Sequence, residues 1–205
     1  MNIIGALTVP GVQMLNFTLT YDGSIPSGGK GSHVAEKQAI RRIFHPQLRT
    51  WWETGPMAAT LKEIDKTIYQ VVVMTPLNAE TGFTFMPLVT KHLNVVCELD
   101  ILMLKPEGPG RVIKNDGDLD NRLKVLFDAL RRPLDKGEIP QGDSPRDDEK
   151  PHFYCLLEDD ALITKVTIRA DRLLALHPDP NATRLIIGVS VRATHLTNGN
   201  FPIGT

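Results

Sequence analysis

Residues 118–130 read D-L-D-N-R-L-K-V-L-F-D-A-L, and the fold class turns on how they are read. Leu123, Leu126, Phe127 and Leu130 recur at i, i+3, i+4 and i+7, the period of an amphipathic helix, and predict a buried stripe. Asp120, Lys124, Asp128 and Arg131 share the other side and predict a polar face. Upstream, across the turn K-P-E-G-P-G, residues 93–105 carry Val95, Cys97, Leu99 and Ile101 in alternation with Val96, Glu98, Asp100 and Leu102. That period of two is a long strand with one buried face. A strand feeding a helix predicts an α/β domain.

Working outward, Leu15, Phe17, Leu19 and Tyr21 alternate with polar or small residues and predict a strand. Further strands are expected near 68–74, 83–90, 162–170 and 184–194, and helices over 34–43 and 58–64. The strands at 83–90 and 93–105 are expected to form an antiparallel pair turning near Lys91 and His92. The H-P-D-P-N turn lies between the last two strands. The expectation is an α/β (α+β) fold, one domain over 1–205, with helices packed on a mixed, largely antiparallel sheet. No internal repeat is visible. Residues 23–32, G-S-I-P-S-G-G-K-G-S, have the composition of a mobile loop. They are not a phosphate loop: Ser24 stands where the first glycine belongs, and Gly31 replaces the Ser/Thr after the lysine.

A chain of 205 residues with 41% apolar content can bury one substantial core. The first dozen residues are broken by Gly5, Pro10 and Gly11 and lack the basic leader of a signal peptide, and no run reaches membrane-span length. Two cysteines, Cys97 and Cys155, read as small core residues in a reducing, cytoplasmic compartment. Charge is unevenly spread. Positions 135–160 hold nine acidic residues against three basic, a net −6, which leaves +5 for the rest of a chain whose total is −1. That imbalance permits a DNA-binding face elsewhere.

Asp118 and Asp120 stand two residues apart where the helix begins, with Lys124 one turn on. Carboxylates beside an ammonium group suit holding a divalent cation against a phosphodiester. Either aspartate can instead be an N-cap. A calcium loop starting at Asp116 fails, with Asn121 where the turn requires Gly and Phe127 where a bidentate Glu is needed. A second acidic pair, Asp159 and Asp160, sits in L-L-E-D-D-A-L-I directly before a strand. Two such pairs meeting at one sheet edge would repel unless a cation lay between them. Asp147 and Asp148 lie in a polar loop and read as solvated. Between positions 30 and 52, Lys37, Arg41, Arg42 and Arg49 accompany Trp51 and Trp52. The pattern fits either a surface that tracks a DNA backbone and stacks on bases, or a solvated helix face with tryptophans partly in the core. The six histidines are scattered, without metal-ligand spacing or a hydrolase triad.

The two acidic motifs together, D-L-D-N-R-L-K-V-L-F-D-A-L and E-D-D-A-L-I, resemble the motif set of the RusA-type Holliday-junction resolvases, small metal-dependent endonucleases of bacteria and their phages. The likeness runs from 118 to about 194 in the order helix, acidic pair, two strands, and is loose before that. It implies catalytic carboxylates at Asp118, Asp120 and Asp160, with Asp159 beside the last, the motif lysine at Lys124, Mg²⁺ as cofactor and a homodimer acting on branched DNA. On that expectation Asp118, Asp120 and Asp160 hold one or two Mg²⁺ ions, with Mn²⁺ a substitute and Asp159 a further ligand. Lys124 then stabilises transition-state charge, and Asn121 fixes a carboxylate. Lys30, Arg41 and Arg42 are the candidate DNA contacts. The chain departs from the compact members in its length and in an acidic insertion at 132–157. Only Lys105, Arg111 and Lys114 supply basic charge just ahead of the motif. The rivals are a non-catalytic module that binds branched DNA, and an interaction protein whose acidic loop docks a partner.

Overall fold

The alternation over 95–105 becomes the central strand β4 (Val95–Lys105) of a computed structural model that describes residues 15–26, 33–55, 58, 75–76, 81–106, 119–175, 179 and 182–195. Val95, Cys97, Leu99, Ile101 and Met103 face the core, and Glu98 and Asp100 face outward. Around β4 a four-stranded sheet assembles in the order β1 (Leu15–Ser24), β7 (Ala182–Ala193), β4, β6 (Ile163–Arg172). β1 and β4 flank β7 antiparallel, and β6 runs parallel to β4. A parallel neighbour demands a long crossover. Here the crossover contains α2 (Leu119–Leu130) and β5 (Phe153–Leu157).

A second sheet, β2 (Thr75–Pro76), β3 (Thr84–Val89) and β5, corrects the hairpin expectation. β3 pairs antiparallel with β2 and parallel with β5, not with β4. Its apolar run is buried on both faces from Phe85 to Val89, as in a strand sandwiched between layers. The chain leaves it through a turn in which Asn94 adopts the left-handed conformation (φ 52°), and so reaches the other sheet. The last two strands lie on either side of β4. The expected helix at 58–64 and strand at 68–74 fall, but for Ala58, outside the described residues, as do most of the 23–32 loop and most of the H-P-D-P-N turn. Among the described residues the architecture is an α+β domain, with two α-helices on a mixed, largely antiparallel sheet.

Helix α1 (Val34–Thr54) runs eleven residues past its expected end, through Pro46. A proline inside a helix costs about 3 kcal/mol. Burial of Phe44, Leu48 and Trp52 against the sheet offsets it, each side chain being at most 1% exposed. Trp52 is therefore core, while Trp51 is half-buried with its ring 5.4 Å from that of Phe17. Gln47 ties α1 to the outer edge of β1: Thr20 N–H donates to Oε1 at 2.9 Å, and Nε2 donates to the Thr20 carbonyl at 2.8 Å. The amide thus serves the strand edge as a neighbouring peptide would.

The acidic segment 132–157 folds back on α1. Arg41, 1% exposed, donates to the carbonyl oxygens of Asp128 (2.8 Å), Arg131 (3.3 Å) and Glu138 (3.2 Å). Burial pulls its guanidinium down to about 10, with Glu138 pushing back, so it stays protonated at neutral pH. Arg42 holds Glu149 (2.7 Å) and Asp143 (2.9 Å). His45 accepts the Tyr154 N–H at Nδ1 (2.9 Å) and lies 3.1 Å from the Asp148 carbonyl at Nε2. A carbonyl only accepts, so Nε2 carries the proton and the ring is neutral. What reads as a free acidic loop is in large part a counter-ion layer for one helix.

That layer has a pH signature. Burial alone would raise the carboxyls of Asp128 and Glu138. Lys37 (2.7 Å) and Arg131 (2.9 Å) outweigh it for Asp128, and Arg131 (2.8 Å) for Glu138, so both sit below the usual carboxylate range. A group whose folded pKa is depressed stabilises the fold above its unfolded value and loses that contribution as pH falls through the folded one. The urea midpoint is therefore expected to fall as pH drops below about 4. Arg131→Met should flatten this decline, and an identical decline in the variant would contradict the assignment.

Candidate functional site

α2 forms where its sequence predicts, but rotated about its axis. Its buried residues are Arg122, Val125, Leu126, Asp128, Ala129 and Leu130, with Leu123 and Phe127 only half-buried. Asp128 and Arg131 are thus buried, not solvated, because α1 packs on that side and supplies Lys37 as a partner. Arg122 likewise turns inward and donates to the Ile25 carbonyl. The polar face is narrower than the alternation suggests. Asp120 and Lys124 do remain exposed, one turn apart, and Asn121 is half-buried beside them. Asp120 lies in the first turn, where negative charge is favoured by the helix dipole. Asp118 lies outside the described residues, as does Lys30.

The second acidic pair divides its labour. β5 ends at Leu157, and Glu158 N–H donates to the Val89 carbonyl (2.9 Å) before the chain turns through a 3₁₀ turn, Asp160–Leu162, into β6. Asp159 caps that turn. Its Oδ1 accepts the Ala161 N–H (3.0 Å) and its Oδ2 pairs with Lys91 (2.8 Å). Lys91, with help from the Ala161 N–H, holds the Asp159 carboxyl below its ordinary range. Each oxygen thus accepts one contact from within the chain. Asp160, next in line, is exposed. Leu162 anchors the turn in the core, and the turn packs against α2 and β4. The turn that exposes Asp160 thus touches the helix that carries Asp120 and Lys124, and the chain just after that helix pairs with the end of β5, Arg132 N–H donating to the Leu157 carbonyl (2.9 Å). Among the described residues no three His, Cys, Asp or Glu side chains are placed to hold an ion, and Asp118 is not one of those residues.

Arg41 and Arg42 depart from their expected role as DNA contacts. The first is enclosed and spent on backbone carbonyls, and the second is spent on Glu149 and Asp143. Sequence reading missed the basic residues that are exposed. Lys165, Arg169 and Arg172 lie along β6, starting five residues after Asp160. Lys165 and Arg169 share the outward face of the sheet, where Gly188 leaves a cleft of about 370 Å³ between Thr18 and Asp100. Glu98 in that cleft lies 3.6 Å from Lys165 and 3.9 Å from Arg192. The period-two pattern of β6 carried this signal, but only the register shows which residues face outward.

Burial pushes the thiols of Cys97 and Cys155 up to about 12, so neither is a nucleophile at neutral pH, and both are free core cysteines as expected. Among the described residues no helix is long and apolar enough to cross a membrane. Comparison with family models, with curated proteins and with solved structures returns no match.

Proposed function

We propose that the protein is a metal-dependent endonuclease of the RusA type that hydrolyses phosphodiester bonds in branched DNA. The observation that carries the reading is the exposure of Asp160 on a turn packed against α2, whose first turns expose Asp120 and Lys124. Oxygen donors of this kind suit a hard cation such as Mg²⁺, with Mn²⁺ as a substitute. Asp118, Asp120 and Asp160 are its proposed ligands. Bound there, Mg²⁺ would polarise the scissile phosphate and lower the pKa of an attacking water. Lys124 would lie against the developing phosphoryl charge, and Asn121 would orient a carboxylate. A homodimer fits the chemistry, since resolving a four-way junction takes two symmetry-related nicks. The rival in which the acidic segment docks a partner is weakened by the pairing of Asp143, Glu149 and Glu138 inside the chain.

Incubating the protein with four-way junctions, flaps and linear duplex in Mg²⁺ tests the reading. Paired nicks in the junction are expected, whereas tight binding without cleavage in either Mg²⁺ or Mn²⁺ would favour the non-catalytic module. Binding should draw on β6. Lys165→Gln and Arg169→Gln are each expected to reduce the slope of log K against log salt by about 1. An unchanged slope in the double variant would remove β6 from the interface.

A further inference from the structure

The N-terminus of α1 opens into a second site, formed by two adjoining clefts of about 870 and 390 Å³ between the helix and residues 136–146. Three features meet there. His33 precedes the helix without a side-chain cap, so the first-turn N–H groups have no acceptor from that residue. Gln38, one turn on, is 1% exposed and lines the smaller cleft, yet its Nε2 has no hydrogen-bond partner. The amide cannot simply be flipped, because Arg41 donates to Oε1 at 3.3 Å. Asp143, in the opposite wall, takes Arg42 (2.9 Å) and the Ser144 N–H (3.0 Å) on Oδ1, while its buried Oδ2 has no partner.

A buried donor left unmade costs about 1–3 kcal/mol, and so does a buried acceptor. A fold carrying both in the wall of one cleft, beside a helix N-terminus that the His33 side chain does not cap, is arranged for a ligand offering an acceptor and a donor. The helix terminus favours the acceptor as an oxyanion. Lys136 and Arg146 also line the clefts, and the Asp143 charge is already met by Arg42. We propose that this cleft binds a nucleotide, its phosphate on the first-turn N–H groups of α1 and Gln38 Nε2, and a hydroxyl or amino group donating to Asp143 Oδ2. Phosphate joined to a nearby donor is common to a free nucleotide and to a DNA strand. The site requires no metal and its lining includes neither Asp120 nor Asp160, so it does not rest on the nuclease reading.

The test is calorimetric titration of the full chain in EDTA with inorganic phosphate, deoxyadenosine, dAMP and a short single-stranded oligodeoxynucleotide. dAMP is expected to bind more tightly than phosphate, and deoxyadenosine to bind least. Gln38→Glu keeps the acceptor for Arg41 and replaces the donor with a charge that repels phosphate. Ala35→Glu puts a carboxylate in the mouth of the cleft, at an exposed first-turn position where acid favours the helix. Each is expected to weaken dAMP by about tenfold or more. Tighter binding of the oligonucleotide than of dAMP identifies the strand as the source, and equal or weaker binding the free nucleotide. No binding of dAMP, equal binding of deoxyadenosine, or unchanged affinity in Ala35→Glu, whose fold is not at risk, would overturn the proposal.

Discussion

Asp160→Asn is expected to slow Mg²⁺-dependent cleavage of a four-way junction by about 10³-fold, the equivalent of roughly 4 kcal/mol of lost transition-state stabilisation. Asp120→Asn should act similarly. The amide removes the ionic oxygen but keeps the shape, and both residues are exposed, so the melting temperature should barely move. Asp159→Asn separates a site from a scaffold. Because Asp159 caps the Asp160–Leu162 turn and pairs with Lys91, its replacement should weaken the turn and affect cleavage far less. Full activity in both Asp120→Asn and Asp160→Asn would sink the assignment, and a loss confined to Asp159→Asn would move the metal to the neighbouring carboxylate.

The largest effect on stability is expected at Arg41. Arg41→Met should cost about 3–5 kcal/mol, read from the urea midpoint, because it strands three backbone carbonyls and leaves Glu138 and Asp128 short of positive charge beneath the acidic segment. Arg49→Ala is the contrast. Its pair with Glu53 at 2.7 Å is largely exposed, and such i,i+4 pairs are worth only about 0.3–0.5 kcal/mol. Comparable losses in the two variants would mean that burial does not set the value of these arginines.

What the sequence made legible was local. The alternation in β1, β4 and β7 survives in the structure, because each reflects one face of one strand meeting the core, and α2 forms where its period predicts though turned about its axis. Partnership was not legible. Nothing within residues 83–105 says that β3 pairs with β5, some 70 residues away, and the turn at Lys91 reads like any hairpin loop. Charge misled for the same reason. Arg41, Arg42 and Asp128 look like solvated surface until partners 87 to 107 positions away are brought alongside. Pro46 hid the second half of α1, since the aromatic burial that outweighs a proline is tertiary. At the candidate site, the exposure of Asp120 and Asp160 accords with the motif reading, and the engagement of Asp159 was visible only with Lys91 in place.

The central claim is that the two acidic motifs form one cation site. A crystal soaked in Mn²⁺ tests it most directly, through anomalous scattering. The account predicts a peak within coordination distance of Asp118, Asp120 and Asp160 that disappears in Asp160→Asn. A Mn²⁺ ion bound elsewhere, with these three carboxylates unliganded, would contradict it.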